Sequence, residues 1–454
     1  MGWALICSVA LAALAGCFQE TAFPLRPGDF RRISACPATA PGDASGETTR
    51  QWLARAARDL SPLLEPGHQR YMVTEDMVDE QGRPRDVFTF LCRPEAHLNK
   101  IIPNYYGFLH TVQGASTSWA VGREPPPWPG FRQVWIPVAD HVELSGRLGL
   151  AEKDGAVQPA DCIVLLPGLF GDNGVARTRD LAAALRDHGF HVLALELRGH
   201  GQTDRRYPNV FYTFGVLEFQ DLLRVSEWLQ DTYPQVRRTG LVGCCWGGNI
   251  GMLVAWYDAR GPDDPGIGPV LARHLPPPSL RRHYTAGVMA FSALLAWEAM
   301  IDETETPQNP LDKPVVAYLQ RLIRERMEMK RHPSVCGKLR VLIDYEFCRS
   351  ELTSEFPIDE AYLALRLVPY KDRPCPPKME SARVPVLLVH AVNDMFASPQ
   401  AVAEFAAATR NPNVATLMLR AGGHVGFFAC NSAFTYSLIL NFFDPQRGPA
   451  ACTK

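Results

Sequence analysis

Hydrophobic and polar residues along the chain follow two different periods, and the change between them predicts the secondary structure. Residues 132–138 and 142–150 alternate with a period of two, which predicts two antiparallel strands joined by a turn near Ala139. Residues 178–189 and 217–229 instead place their large apolar side chains on one helical face. Short apolar runs, typical of buried strands, lie at 163–166, 191–195, 239–243, 287–291, 384–390 and 414–419. Buried strands that alternate with helices predict a mostly parallel, doubly wound sheet covered on both faces.

The most informative chemistry lies where one of these strands meets a helix. Gly243-Cys244-Cys245-Trp246-Gly247 has the Gly-x-nucleophile-x-Gly pattern of a tight strand-to-helix turn, with cysteine at the centre. Such a turn strains the backbone of the nucleophile and brings strand and helix so close that only glycine fits beside it. The pattern predicts that Cys245 is a catalytic nucleophile. Cys244 is predicted to pack on the opposite face of the sheet, and a vicinal disulfide with Cys245 is the alternative.

Two later loops offer the acid and the base that a thiol nucleophile needs. Asp394 follows the buried strand 384–390, and His424 follows the last strand on a glycine-rich loop. The order nucleophile, acid, histidine along the chain is the order expected for a triad built on this kind of turn. We therefore predict a catalytic triad of Cys245, His424 and Asp394.

The acid of this triad has an alternative position. Glu298 and Asp302 follow the earlier strand 287–291, and a carboxylate after that strand can also face the histidine. Asp394 is preferred because its strand and loop are more clearly defined.

Two backbone NH groups are expected to stabilise the oxyanion that forms when the thiolate attacks an acyl carbon. One belongs to Trp246, the residue after the nucleophile. The other belongs to Leu169, in the turn that follows the buried strand 163–166. Together they predict an oxyanion hole beside Cys245.

Four segments together resemble the α/β-hydrolase superfamily and, within it, the YheT-like branch. They are Glu196–Gly201, the turn ending Gly247-Gly248-Asn249, the loop around Asn393-Asp394, and Gly422–Phe427. The resemblance covers roughly residues 133–443, which is most of the chain. It implies an α/β-hydrolase fold with a helical cap insertion.

The sequence departs from this pattern at two positions. Members of the YheT-like branch carry serine at the nucleophile position, whereas Cys245 is similar to the cysteine in the G-x-C-x-G-G box of dienelactone hydrolases and polyhydroxyalkanoate synthases. Pro167 stands where α/β-hydrolases often carry a histidine before glycine. Because the second oxyanion donor is the backbone NH of Leu169, this exchange is predicted to leave the oxyanion hole intact.

The predicted activity is hydrolysis through a thioester acyl-enzyme. His424, oriented by Asp394, raises the thiolate fraction of Cys245, and the thiolate attacks an acyl carbon. Esters, lactones and thioesters are the expected substrates, because a thiolate expels oxygen or sulfur leaving groups more readily than amines. The alternatives are an acyltransferase of polyhydroxyalkanoate-synthase type and a non-catalytic binding protein with the same fold. The presence of both Asp394 and His424 argues against the binding protein.

Composition divides the chain into three parts. Residues 1–16 are predicted to be a signal peptide, 17–125 an N-terminal extension and 126–446 the hydrolase domain, with a cap insertion at about 295–381. The proline-rich segment 125–129 marks the second boundary. Within the extension, residues 50–64 are predicted to be helical and 87–91 a strand. A basic stretch in the cap is predicted to be a solvated helix face, with contact to an anionic lipid or acyl substrate as the alternative; it comprises Arg321, Arg324, Arg326, Lys330 and Arg331.

The amino end predicts the location of the protein. Residues 3–17 form an apolar run that is too short to span a membrane and has the length of a signal-peptide core. The run ends Leu14-Ala15-Gly16-Cys17, which looks like the lipobox of bacterial lipoproteins, and this implies lipidation at Cys17. We therefore expect an exported protein of the bacterial cell envelope, held at the periplasmic side of a membrane by a lipid anchor.

The remaining composition limits the choice of partner. A formal net charge of −2 gives no reason to expect nucleic acid, and the sequence contains no metal-ligand spacing or phosphate-binding glycine loop. The predicted partner is a small acyl substrate, without cofactor or metal. In an oxidising compartment further cysteines could form disulfides, and Cys336 and Cys348 are the most local pair.

Overall fold

The computed structural model describes residues 30–34, 46–92, 107–109, 111, 127–275, 280–306, 313–331, 337–352, 358–446 and 448–449. The predicted signal peptide, 1–16, and the predicted lipidation site, Cys17, lie outside these residues. Cys336 also lies outside them. Within the described part of the chain, no helix is both long enough and apolar enough to cross a membrane.

Among the described residues, nine strands form one sheet and two short strands form a separate hairpin. In chain order the strands are β1 (Tyr71–Val73), β2 (Arg132–Ala139), β3 (Val142–Gly149), β4 (Glu152–Lys153), β5 (Ala156–Val157), β6 (Ala160–Leu166), β7 (His191–Glu196), β8 (Val236–Cys244), β9 (Gly287–Phe291), β10 (Val386–Ala391) and β11 (Val414–Leu419). The sheet order is β1-β11-β10-β9-β8-β6-β7-β3-β2, and β4 pairs with β5. The central strands are parallel, while β1, β2 and β3 run antiparallel to their neighbours.

Helices lie on both faces of this sheet. In chain order they are α1 (Thr49–Leu60), α2 (Val87–Cys92), α3 (Ala176–Asp187), α4 (Gly201–Arg206), α5 (Glu218–Thr232), α6 (Trp246–Ala259), α7 (Leu271–His274), α8 (Trp297–Glu305), α9 (Lys313–Met329), α10 (Leu339–Arg349), α11 (Ile358–Leu365), α12 (Pro399–Ala408), α13 (Phe427–Cys430) and α14 (Ser432–Phe443). The described residues form two hydrophobic clusters, one on each face of the sheet. One holds side chains of α1, α3 and α14, and the other holds those of α5, α6, α12 and the cap.

This double covering explains the continuously apolar strands. Every residue of β6, β7, β9, β10 and β11 is buried. Strands with both faces covered lose the alternation that a half-exposed strand shows. The predicted fold class is confirmed: the chain has an α/β-hydrolase fold, with a mostly parallel sheet between two layers of helices.

The region predicted as an extension contributes to the same sheet. Strand β1 pairs antiparallel with β11 at the sheet edge, and Thr74 Oγ1 accepts a 2.8 Å hydrogen bond from the backbone NH of Thr416 beside this pair. Helix α1 confirms the predicted helical segment, and it buries Trp52 and Leu53 against the sheet. Residues 87–91 form helix α2, so the strand prediction for them was wrong.

The cap packs on the sheet domain through buried ion pairs. Arg326 on α9 lies 2.8 Å from Asp204 and 2.8 Å from Glu346, and Lys330 also pairs with Asp204 at 2.5 Å. Both cations are buried. The prediction of a solvated basic face is therefore wrong for these two residues and correct for the rest of the stretch, since Arg321, Arg324 and Arg331 are exposed.

Candidate active site

The turn between β8 and α6 has the geometry that its sequence predicts. Cys245 has φ +56° and ψ −122°, a backbone conformation that L-residues rarely adopt. Its backbone NH donates to the Phe291 carbonyl at 2.8 Å. A Cβ atom on Gly243 would lie 2.2 Å from the Gly247 carbonyl oxygen, and one on Gly247 would lie 2.2 Å from the Pro167 carbonyl oxygen. Only glycine fits at either position, and the turn holds Cys245 at the carboxyl edge of the sheet.

The structure brings the three predicted triad residues together. His424 Nδ1 lies 3.0 Å and 3.1 Å from the two carboxylate oxygens of Asp394. The charge of the same imidazole and its interaction with the thiol lower the pKa of Cys245. Because Nδ1 is engaged by Asp394, the nitrogen that faces the thiol is Nε2. The Phe396 ring and the imidazole pack in a T-shaped arrangement, with centroids 5.0 Å apart.

The alternative acids are occupied elsewhere. Glu298 is buried and pairs with Arg366 at 2.6 Å and with Arg373. Asp302 accepts hydrogen bonds from Tyr370 at 2.8 Å and from Lys371 at 2.6 Å. Asp394 is thus the acid that contacts the histidine.

The charges in this group favour a thiolate paired with an imidazolium. Burial alone would raise the pKa of Cys245, but the charge and hydrogen bond of His424 lower it below the ordinary thiol range. Burial alone would lower the pKa of His424, but the charges of Asp394 and Cys245 raise it. The pKa of Asp394 lies below its usual range, since the facing imidazole outweighs the effect of burial.

The predicted oxyanion donors face the same sulfur. Backbone NH groups of Leu169 and Trp246 lie near the side chain of Cys245 and help to lower the pKa of its thiol. The close approach of Gly168, where a Cβ atom would lie 3.5 Å from Cys245 Sγ, brings the Leu169 turn to the nucleophile. The indole of Trp246 donates to the Phe214 carbonyl at 2.6 Å, which fixes the start of α6. Two NH groups therefore converge where an attacked acyl oxygen would develop charge.

His200 supports this turn, a role that the sequence analysis did not assign. Its Nδ1 lies 2.7 Å from the Arg198 carbonyl, and its Nε2 accepts a 3.2 Å hydrogen bond from the backbone NH of Phe170. Burial lowers the pKa of His200 to about 4, so the ring is neutral and keeps an acceptor nitrogen. The motif Glu196–Gly201 carries a family resemblance, but a histidine contact between loops can be recognised only in the folded chain.

Hydrogen bonds also join the loops that carry Asp394 and His424. Asn393 Oδ1 accepts the backbone NH of Gly423 at 2.8 Å. Ser292 Oγ accepts the backbone NH of Val425 at 3.2 Å. Behind the acid, His390 is fully buried, with Nε2 3.8 Å from Asp394 Oδ2 and 3.1 Å from the Ala397 carbonyl. The triad therefore rests on a hydrogen-bonded frame of three loops.

Cys244 lies on the other face of the sheet, as predicted. It belongs to the hydrophobic cluster formed with α1, α3 and α14, and burial raises the pKa of its thiol. Cys244 and Cys245 are both free thiols, so the vicinal disulfide is not formed. Cys348, the described member of the local pair predicted in the cap, is an exposed free thiol. Among the described residues, no cluster of three or more histidine, cysteine, aspartate or glutamate side chains has the arrangement of a metal site.

Sequence comparison matches the part of the chain that carries this turn. The sequence model of the family described as "alpha/beta hydrolase fold" matches residues 161–260. A human protein named phospholipase ABHD3 is 40% identical over 58 residues, which cover 13% of this chain and 14% of the human protein. The alignment thus spans only a small part of that relative.

Solved structures with partial similarity include two archaeal enzymes. The Pyrococcus furiosus esterase Pf2001 superimposes with a TM-score of 0.46 and 17% identity, over 72% of this chain and 98% of the esterase. A Pyrococcus horikoshii acylaminoacyl peptidase gives a TM-score of 0.43 and 15% identity, over 70% of this chain and 42% of the peptidase. The fold assignment rests on the strand order and the family match. Both support the α/β-hydrolase fold, while membership of the YheT-like branch stays a prediction.

Proposed function

We propose that the protein hydrolyses ester, lactone or thioester bonds through a triad of Cys245, His424 and Asp394. The observation that carries this proposal is that one imidazole contacts the carboxylate of Asp394 through Nδ1 and also interacts with the thiol of Cys245. The lowered pKa of Cys245 favours the thiolate, which is the nucleophilic form of the side chain. Asp394 is buried and holds the imidazole in one tautomer.

The contacts suggest a sequence of bond changes. The Cys245 thiolate attacks the acyl carbon, and the carbonyl π electrons move to oxygen. The NH groups of Leu169 and Trp246, which face the sulfur in the resting protein, then bind the oxyanion. When the intermediate collapses, the bond to the leaving group breaks, and the His424 imidazolium gives that group its proton. Water then attacks the thioester while His424 takes a proton from the water. The bond from carbon to sulfur breaks, the carboxylic acid is released, and Cys245 returns to its thiolate form.

The experiment that tests this proposal is turnover of a panel of activated esters, lactones and thioesters under reducing conditions. Cys245→Ala and His424→Ala are expected to abolish turnover. Cys244→Ala is the matched control: it removes the neighbouring thiol, which lies on the other face of the sheet, and should leave turnover intact. If both variants fold and Cys244→Ala loses as much turnover as Cys245→Ala, the assignment of Cys245 as the nucleophile is contradicted.

The same panel separates the alternative functions. An acyltransferase would pass the acyl group to an added hydroxyl acceptor in preference to water, and the ester product would be seen by mass spectrometry. A non-catalytic protein would turn over no substrate and form no acyl-enzyme. A thioester adduct on the Cys245 peptide, followed by release of free acid, would support hydrolysis over both.

We propose further that the protein is exported and anchored by a lipid on Cys17. The apolar run and the Leu14-Ala15-Gly16-Cys17 segment are the basis for this proposal. Expression of the full chain in a bacterium, with metabolic labelling by a fatty acid, tests it. Label in the wild type that is absent from Cys17→Ser is expected, whereas an unlabelled wild type would overturn the proposal.

A further inference from the structure

A threonine from the predicted N-terminal extension contacts the backbone of the catalytic-site histidine. The NH of His424 donates a 2.9 Å hydrogen bond to Thr111 Oγ1. Thr111 is only 4% exposed, so the hydroxyl is the partner that this NH has in place of water. The two residues are separated by 313 positions in the chain.

The same segment touches the loop of the acid. Residues 107–109 and 111 are helical, and a Cβ atom on Gly107 would lie 2.0 Å from the Asn393 carbonyl oxygen. Asn393 immediately precedes Asp394, and its side chain accepts the NH of Gly423 at 2.8 Å. The segment therefore lies against both loops whose side chains form the Asp394–His424 pair.

We infer that Thr111 is a positioning residue for His424, so that the N-terminal region completes the active site. This inference rests on the function proposed above. The bond fixes the peptide from which the imidazole extends, next to Val425, which has φ +64° and stays in that conformation only if its surroundings hold it. A shift of this peptide would lengthen the contacts of the imidazole with Cys245 and Asp394 together.

Thr111 itself carries no charge, so its effect must pass through the titratable groups around the imidazole. Those groups are Cys245, Asp394 and, behind the acid, His390. If His424 is less well placed, the thiolate loses its stabilising partner and the pKa of Cys245 rises. A purely structural role for Thr111 would change stability without changing this pKa.

The test is the pH dependence of Cys245 alkylation by iodoacetamide in the full-length protein, followed on the Cys245 peptide by mass spectrometry. The exposed thiol of Cys348 is the internal reference. Thr111→Val keeps the shape of the side chain but removes the acceptor. Losing one buried hydrogen bond is expected to slow Cys245 alkylation at neutral pH by about three- to tenfold and to move its midpoint to higher pH. Turnover of the best ester should fall in kcat, with KM little changed.

Two further variants make the result interpretable. Thr111→Ser keeps the acceptor and should restore wild-type alkylation and kcat. Thr74→Val is the matched control, because Thr74 also uses a buried hydroxyl to accept a backbone NH, from Thr416 at 2.8 Å, in the same N-terminal region. Thr74→Val should lower the stability of the protein without changing the pH dependence of Cys245 alkylation. If Thr111→Val does not fold, Thr111→Ala takes its place.

The outcomes separate the inference from the proposed function. A wild-type Cys245 that titrates like an ordinary thiol would overturn the triad and, with it, the role of Thr111. An activated Cys245 in the wild type that is unchanged in Thr111→Val would overturn the positioning role alone. If the midpoint pH of Cys245 alkylation shifts equally in Thr111→Val and Thr74→Val, the shift reflects a general loss of stability. That result would also overturn the positioning role of Thr111.

Discussion

His200 Nε2 accepts the backbone NH of Phe170 at 3.2 Å, and this contact joins the loop after β7 to the turn that carries an oxyanion donor. Phe170 has φ +66°, so the turn is held in a conformation that it would not adopt freely. The neighbouring NH, that of Leu169, lies near Cys245 and helps to lower the pKa of its thiol. A histidine outside the triad thus helps to aim the group that would stabilise the oxyanion.

The first prediction is that His200→Phe lowers kcat more than it raises KM. The substitution removes the acceptor of the Phe170 NH, and a misplaced oxyanion donor is expected to reduce kcat by about tenfold to a hundredfold. Steady-state kinetics on an activated ester checks this. His191→Phe is the control, because His191 is also buried and accepts a backbone NH, from Ala151 at 2.9 Å, at the opposite end of β7. Its kcat should stay near the wild-type value even if stability falls.

The second prediction concerns pH. The pKa of Cys245 is lowered, so the acidic limb of the kcat/KM profile should lie below the usual thiol range. The pKa of His424 is raised, so the alkaline limb, where the imidazolium is lost, should lie above the usual histidine range. Asp394→Asn removes the carboxylate charge that raises the pKa of His424. The two limbs should then approach each other, and kcat should fall by about a hundredfold or more.

Asp302→Asn is the control for this profile. Asp302 was the alternative acid, and it pairs with Lys371 and Tyr370 away from the imidazole. Its substitution should leave both limbs in place. A profile that changes in Asp302→Asn and stays fixed in Asp394→Asn would reverse the assignment of the acid.

The third prediction is that Gly247→Ala destabilises the fold and removes activity. The added Cβ would lie 2.2 Å from the Pro167 carbonyl oxygen, and this backbone atom cannot move without shifting β6 or α6. Overpacking of this kind costs about 1–3 kcal/mol in the free energy of unfolding. Urea denaturation measures the change. Gly261→Ala, where the new Cβ would meet nothing within 4 Å, should be close to neutral.

The fourth prediction concerns the attachment of the cap. Arg326→Met leaves the buried carboxylates of Asp204 and Glu346 with less compensating charge. Breaking a buried ion pair from one side typically costs about 3–5 kcal/mol, so the variant should melt at a lower temperature and be cut by protease within the cap. Arg321→Met removes an exposed arginine from the same helix, and its effect should be below about 1 kcal/mol. Similar losses in both variants would show that the buried pairs do not hold the cap.

The local part of the site could be predicted from the sequence. The glycine spacing around Cys245 specifies a turn that few other residues allow, and the order of Cys245, Asp394 and His424 follows from where apolar strands end. The buried strands were also predictable, since their apolar runs are continuous. These features depend on residues that are neighbours in the chain.

Contacts between distant segments could not be predicted. Residues 87–91 contain aromatic and β-branched side chains that favour a strand, but Asp86 accepts the NH groups of Phe88 and Thr89 at 3.1 Å and starts a helix instead. Arg326 lies in a basic run that suggests a solvated face, and its partner Asp204 lies 122 positions earlier. Thr111 has no local signal at all, because its partner NH belongs to a loop near the other end of the chain.

The pairing of β1 with β11 also determines when β1 can join the sheet as the chain is synthesised. Thr74 and Thr416, which hydrogen-bond beside this pair, are 342 positions apart. Strand β1 leaves the ribosome long before β11, its partner in the sheet, has been made. Contacts of such long range form late, because closing the loop between them costs entropy before any pairing compensates for it. Strand β1 can therefore join the sheet only after β11 has been translated, long after its own synthesis.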